Sequence, residues 1–276
     1  MPELPEVETV RRTLQQLVSG KTISSITVSL PRIIKEPDNP ELFIELLKGQ
    51  TIRKMGRRGK FLKFYFDDFV LLSHLRMEGR YGVYGKEEQV EKHTHVIFHF
   101  TDETELRYRD VRTFGTMHLY KQGDEEKAPS LAKLGLEPLD PQFTPDELQR
   151  RMKGRTSKIK ALLLNQEIVA GLGNIYVDEC LYQAKIHPEK TPSQLKEKDW
   201  TLLHHSIVDV LSRSITLGGS SVKSYVNGQG EEGKFQHTLK VYQKKGEPCA
   251  ECGTPIVRTV VSGRGTHYCP QCQLEN

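Results

Sequence analysis

The chain has 276 residues, with 40 Lys plus Arg against 36 Asp plus Glu, a formal net charge of +4. That length accommodates one large domain or two to three ordinary ones. The 36% hydrophobic and 28% charged fractions are those of a soluble globular chain, and no apolar run approaches the roughly 18 residues of a membrane span.

In chain order, the acidic start Met1-Pro2-Glu3-Leu4-Pro5-Glu6 carries carboxylates where a secretory signal carries basic residues, so an intracellular home is expected. Leu4, Val7, Val10, Leu14, Leu17 and Val18 recur at three- and four-residue steps and Gly20 follows, which predicts an amphipathic helix over residues 3–18. Short alternating or β-branched runs come next, at 26–30, 61–66, 69–75, 96–100, 106–109 and 117–120, separated by turn signals such as Asp67-Asp68 and Thr101-Asp102. Their spacing predicts a β-sandwich over 1–122. Residues 123–141, acidic and then proline-containing, are the expected linker. Four helices should follow. Thr144 caps the first, with Pro145 at its first position and Gly154 at its end; Ser157 caps a second through Leu164; the third runs from Asn174 to Ala184. Trp200, Leu203, Ile207, Val210, Leu211 and Ile215 mark the fourth, closed by Gly218-Gly219. The fold class is therefore α+β and multidomain, with a helical domain over 142–238 and a cysteine-rich tail over 239–276.

Five cysteines are too few and too clustered for a disulfide framework. Cys249-Ala250-Glu251-Cys252 and Cys269-Pro270-Gln271-Cys272 are two C-x-x-C pairs whose spacing suits two knuckles around one tetrahedral zinc ion. Four thiolates leave no open coordination position, so one structural zinc per chain is expected. Cys180 stands apart and reads as a buried small residue. Between the knuckles Arg264 is flanked by Gly263 and Gly265, a turn that pushes one guanidinium outward toward a phosphate.

A surplus of four positive charges is too small to identify a polyanionic partner, so the placement of basic residues matters more. The stretches Arg53–Lys60 and Arg150–Lys160 contain no carboxylate and could collect phosphates. Asn174 sits where glycines meet a helix N-terminus, as an anion ligand or simply as a cap. The segment Arg107–Gly115 mixes arginines with aromatics and could present Arg112 to base edges and Phe114 as a wedge between stacked bases. Pro2 would be a free secondary amine after loss of Met1, a fair nucleophile at a helix N-terminus, and Glu3 and Glu6 lie on one helical face beside it. These features alone also suit a non-enzymatic zinc-ribbon protein that binds DNA through its basic faces.

Taken together, Pro2–Glu8, Gly56–Lys60, His74–Met77, Arg107–Gly115, Gly171–Tyr176 and Gly263-Arg264 with the four-cysteine tail make the chain resemble the bacterial formamidopyrimidine-DNA glycosylases, a family that includes the endonuclease VIII branch. The Pro-Glu-Leu-Pro-Glu start is that of the formamidopyrimidine branch. The resemblance implies an N-terminal helix with a β-sandwich, a helix-two-turn-helix domain and a zinc-finger hairpin. It implies a monomer acting in the bacterial cytoplasm on damaged double-stranded DNA in base excision repair, as glycosylase and abasic-site lyase, with no membrane partner. Pro2 would be the Schiff-base nucleophile, Glu3 the general acid/base, and Lys60 and Arg264 further members of the catalytic set, with Glu6 in support. His74, Asn174 and Arg264 would hold phosphates. Met77 would fill the space of the everted nucleotide, Arg112 would bond the orphaned cytosine and Phe114 would wedge the opposite step. Ser220 and Tyr225 would touch the flipped base. One departure is Thr113, where the family resemblance leads one to expect a basic residue; its effect should be weaker non-specific DNA affinity with unchanged chemistry.

Overall fold

The computed structural model describes residues 1–221 and 230–275. The chain divides into two units, Met1–Ala132 with Leu217–Lys234, and Lys133–Thr216 with Phe235–Asn276. The expected linker is thus built into both units, and the segment 217–234, placed by sequence with the helices, groups with the first unit.

In the first unit, α1 (Leu4–Val18) starts at Glu3 with Pro5 in its first turn and buries Leu4, Val7, Val10, Leu14 and Val18. A second helix, α2 (Pro40–Leu47), is capped by Asn39, whose side chain accepts from Leu42 N at 2.9 Å. The strands are β1 (Ile23–Val28), β2 (Ile34–Glu36), β3 (Lys54–Arg58), β4 (Phe61–Tyr65), β5 (Phe69–His74), β6 (Arg80–Gly85), β7 (Thr94–Phe100), β8 (Thr104–Arg109) and β9 (Thr116–Lys121), followed by the single-turn α3 (Pro129–Ala132). They form two sheets of order β1-β7-β8-β6 and β2-β9-β5-β4-β3, with β2 parallel to β9 and the other pairs antiparallel. Ile26, Phe98, Leu106 and Tyr108 of the first sheet share a core with Met55, Leu62, Phe64, Leu71 and Met117 of the second and with Val7, Val10 and Leu14 of α1. Each such side chain contributes about 1.5–3 kcal/mol on burial.

The register decides what gathers at one end of this sandwich. Arg58 pairs with Phe61 across a two-residue turn, Gly59-Lys60, in which Gly59 has φ +54°. Phe61 pairs with His74, and His74 with Thr116. Arg109 pairs with both Arg80 and Thr94. The connections 75–79, from β5 to β6, and 110–115, from β8 to β9, therefore both cross between the sheets at that same end.

In the second unit, α4 (Pro145–Met152) is capped by Thr144, which accepts from Glu147 N at 3.2 Å. Next come α5 (Ile159–Leu164), with Lys158 rather than Ser157 at its N-cap, α6 (Asn174–Gln183) and α7 (Glu197–Thr216). Trp200, Leu203, Ile207, Tyr176, Val177 and Leu181 are buried here. The tail adds the hairpin β10 (Val257–Val261) and β11 (Arg264–Tyr268), whose turn residues Ser262 and Gly263 both have positive φ, the geometry of a tight two-residue hairpin. No helix among the described residues is long and apolar enough to cross a membrane.

Candidate active site

Pro2, Glu3 and Glu6 are buried at the start of α1, the two carboxylates only 4% and 2% exposed. A capping box joins them: Glu3 N donates to Glu6 Oε2 at 2.7 Å, and the Glu3 side chain takes the Glu6 N–H. The other Glu6 oxygen, Oε1, accepts from Ser220 N at 2.8 Å. Gly219 lies so close that an added Cβ would stand 2.9 Å from Glu6 Oε1. Lys234 N donates to Leu217 O at 2.9 Å, and Gly233 N to Ser221 Oγ at 2.9 Å, so residues 217–221 and 233–234 are fastened to each other. Glu6 thereby ties the helix start to Ser220, whose buried hydroxyl oxygen has no partner among the described residues. Tyr225 lies outside the described residues.

Lys60 is 6% exposed in the β3–β4 turn. The turn is held from α1: Glu8 accepts from Arg57 Nε at 3.3 Å, and Arg57 Nη1 donates to Gly59 O at 2.9 Å. Burial alone would push the Glu8 carboxyl up, but Arg11, Arg12 and Arg57 together hold it below its usual value. Glu8 carries no local motif for this role, and sequence reasoning passed over it.

His74 ends β5, 7% exposed, with its ring edge-on to Phe61 at 4.6 Å. Its Nδ1 accepts from Arg76 N at 2.9 Å, so the neutral ring carries its proton on Nε2, a donor suited to a phosphate oxygen. Burial, then the nearby Arg76, Lys60 and His118, depress its pKa to about 3. The unfolded ring protonates below about pH 6.5 while the folded one stays neutral, so stability falls as pH drops from about 6.5 toward 3. This one group should remove about 1.4 kcal/mol per pH unit in that window. Hydrogen exchange of the sandwich strands at pH 5 and 7 should show that slope in the wild type and a shallower one in His74→Gln.

Met77 sits half-buried in the 75–79 turn, where Arg76 has φ +53°. In the 110–115 connection Arg112 and Phe114 are exposed, Phe114 by 53%, with the guanidinium 4.9 Å from the ring centroid. Thr113 has φ +56° and its hydroxyl accepts from Arg32, so a guanidinium stands beside this loop although position 113 is uncharged.

In the second unit, Asn174 Nδ2 donates to Gly265 O at 2.8 Å, next to the exposed Arg264. The same carbonyl accepts from Lys160 Nζ at 3.0 Å. Lys160 and Asp178, both fully buried, pair at 2.6 Å, and Asp178 Oδ2 takes the His267 N–H at 2.9 Å. Glu179 accepts the backbone N–H groups of Lys240, Val241 and Tyr242 at 2.8–2.9 Å. Burial raises its pKa against those three bonds. Adjacent carboxylates on α6 thus fasten both the hairpin and the approach to the tail. Lys160→Met should cost about 3–5 kcal/mol, because it leaves Asp178 buried without its cation. The single tryptophan, Trp200, lies in this unit, and its fluorescence in urea titrations should report the loss; a change below about 1 kcal/mol would contradict the pairing.

Folding brings carboxylates from elsewhere against several residues of the two basic stretches. Arg53 pairs with Asp67, Arg57 with Glu8, Arg150 and Arg151 with Glu147, and Lys160 with Asp178. The partners lie one helical turn back or on other elements, where a window along the sequence does not see them.

The four tail cysteines converge: their sulfurs all lie within 4.8 Å of one another. Cys249 Sγ to Cys272 Sγ is 3.9 Å and Cys252 Sγ to Cys269 Sγ is 3.5 Å. Four thiolates at the zinc–sulfur bond length stand about 3.8 Å apart in a tetrahedron, so the set fits one structural zinc. Gly253, with φ +74°, donates to Cys249 O and Gln273 N to Cys269 O, closing the two knuckles.

Comparison with known proteins matches three family models along the chain. The formamidopyrimidine-DNA glycosylase N-terminal domain matches residues 1–117, the formamidopyrimidine-DNA glycosylase H2TH domain 134–226, and a zinc finger found in FPG and IleRS 246–274. The chain is 61% identical over 273 residues to the formamidopyrimidine-DNA glycosylase of Brevibacillus brevis, covering 99% of each chain. It is 59% identical to that of Halalkalibacterium halodurans, covering 99% of this chain and 100% of the relative. Among solved structures it is similar to the wild-type Lactococcus lactis Fpg in complex with N7-benzyl-Fapy-dG DNA, with TM-score 0.93 and 46% identity. The complex of that bacterium's Fpg with abasic-site DNA gives TM-score 0.92 and 45% identity; both alignments cover 99% of this chain and 100% of the other.

Proposed function

The chain belongs to the formamidopyrimidine-DNA glycosylase family, and from that membership we propose that it excises formamidopyrimidines and 8-oxoguanine from duplex DNA and then cleaves the abasic site. The observation that carries this reading is the buried Pro2-Glu3 start of α1, an N-terminal amine precursor beside a carboxylate fixed in a capping box.

Removal of Met1 converts the Pro2 nitrogen from an amide to a secondary amine. Its lone pair attacks C1′ of the lesion nucleotide, the C1′–N bond breaks, and the electron pair leaves with the base, which takes up a proton. Glu3 receives the proton released from the attacking amine and returns it to O4′ as the C1′–O4′ bond breaks, the nitrogen lone pair forming the iminium of the opened sugar. The iminium acidifies the C2′ protons; loss of one expels the 3′ phosphate by β-elimination, and a further proton loss expels the 5′ phosphate by δ-elimination. No diffusible cofactor enters. Lys60 and the Nε2–H of His74 supply donors to phosphate oxygens near the lesion, as Asn174 and Arg264 do from the second unit. Unpairing and unstacking the lesion costs a few kcal/mol, which Met77, Arg112 and Phe114 offset by occupying the vacated stack. Zinc, when bound, supplies only the fold that carries Arg264.

The alternative is the endonuclease VIII-type preference for oxidised pyrimidines. Single-turnover rates on 8-oxoguanine opposite cytosine and on thymine glycol separate the two, and faster cleavage of thymine glycol would overturn the purine assignment.

A further inference from the structure

Two connections cross between the sheets at the end where Lys60 and His74 gather, and both rest on one hydroxyl. Tyr108, on β8, is fully buried, its ring 5.0 Å from that of Tyr81. The Tyr81 hydroxyl lies 2.8 Å from Ser73 Oγ, the residue before His74. A Cβ added at Gly79 would stand 2.4 Å from the Tyr108 hydroxyl oxygen, and one added at Gly115 only 1.7 Å from it. No side chain fits at either place, so the backbone of each connection lies directly on that oxygen. Gly79 N donates to Leu75 O at 2.9 Å and closes the turn around Met77. Gly115 N donates to Asp110 Oδ2 at 2.8 Å, Tyr108 donates to the same oxygen at 3.3 Å, and Arg112 N to Oδ1 at 3.1 Å. Asp110 has no exposed surface, and its carbonyl oxygen lies 2.9 Å from His95 Nε2. The contacts form one buried post, Tyr81 to Tyr108 to Asp110, under the two loops that carry Met77, Arg112 and Phe114.

We propose that Tyr108 is a positioning residue that locks the Met77 turn and the Arg112–Phe114 loop to each other, so that the three side chains enter the duplex as one set. The proposal rests on the wedge reading of those residues given above. Ordering both loops against one buried group before DNA arrives removes an entropic cost from insertion.

The test is stopped-flow fluorescence of 2-aminopurine placed beside an 8-oxoguanine, which reports unstacking as the wedge enters. Tyr108→Phe should slow that phase about fivefold, the worth of one hydrogen bond. In the wild-type background Met77→Ala and Phe114→Ala should be coupled, the double variant being little slower than either single one; in Tyr108→Phe the two effects should multiply. Unchanged coupling would overturn the role of Tyr108. Gly115→Ala should slow the phase more than tenfold, and Tyr108→Phe/Gly115→Ala should recover several-fold of it, because the nearest obstructing atom is the oxygen removed. A double variant as slow as Gly115→Ala would also overturn the proposal. If Phe114→Ala leaves the signal untouched, the wedge reading fails and takes this proposal with it; if Phe114→Ala alters the signal but Tyr108→Phe does not, only the positioning role fails.

Discussion

Glu3→Gln is expected to slow excision of 8-oxoguanine by about 10²–10⁴ while leaving affinity for the same duplex within about twofold of the wild type. Glutamine has the same shape and keeps an oxygen to accept the Glu6 N–H, so the helix start survives the change. What it removes is a carboxylate able to take and return protons beside the Pro2 nitrogen, a contribution of about 10²–10⁴ in rate. The contact of Ser220 with the helix start is equally preserved, because the bond to Ser220 N is made by Glu6 and not by Glu3. Borohydride reduction separates the amine from the acid: the mature wild-type protein should be trapped covalently on lesion DNA through Pro2, with intact-mass measurement confirming loss of Met1. Normal excision by Glu3→Gln, or no trapped adduct with the mature wild type, would refute the assigned chemistry.

Much of this site was legible because its motifs are local. The helix from Leu4 and the two cysteine knuckles each declare themselves within a few residues, through spacing that the backbone geometry requires. What escaped depends on contacts between distant segments. Glu8 steadies the turn before Lys60 across a separation of 49 residues. Lys160 reads as one more basic residue in a charged run, yet it is buried against Asp178 on another helix. Gly79 and Gly115 look like ordinary turn glycines, and neither adopts a positive φ; they are required by close approach to Tyr108, which only the folded sheets create. The strand β3 was hidden for a related reason. Its arginines and lysine read as a basic stretch that could collect phosphates, while the inward Met55, opposite Phe64, alone marks its buried side. The helix α2 is only eight residues long, too short for periodicity to identify.

Removing zinc should unfold the tail and weaken binding to lesion DNA by at least about a hundredfold, while the N-terminal sandwich keeps its structure. The tail's own apolar core is small, Tyr182, Val241, Cys249, Ile256 and Cys269, of which two are themselves metal ligands, and the bonds from Lys160, Asn174, Asp178 and Glu179 reach the hairpin and its approach but not the knuckles. Structural zinc supplies about 10–16 kcal/mol of apparent binding free energy in isolated fingers, far more than so small a cluster provides. Without it the β10–β11 turn no longer holds Arg264, and the Gly265 carbonyl that joins Asn174 and Lys160 is displaced. Arg264→Ala with zinc in place isolates the guanidinium from the fold: it should keep one zinc per chain and reduce the salt slope of DNA binding by about one, whereas Cys252→Ser should lose the metal and lower the slope further. Metal analysis and binding titrations from low to moderate salt provide both readouts. Undiminished affinity for lesion DNA after complete zinc removal would show that the finger has no part in holding the duplex.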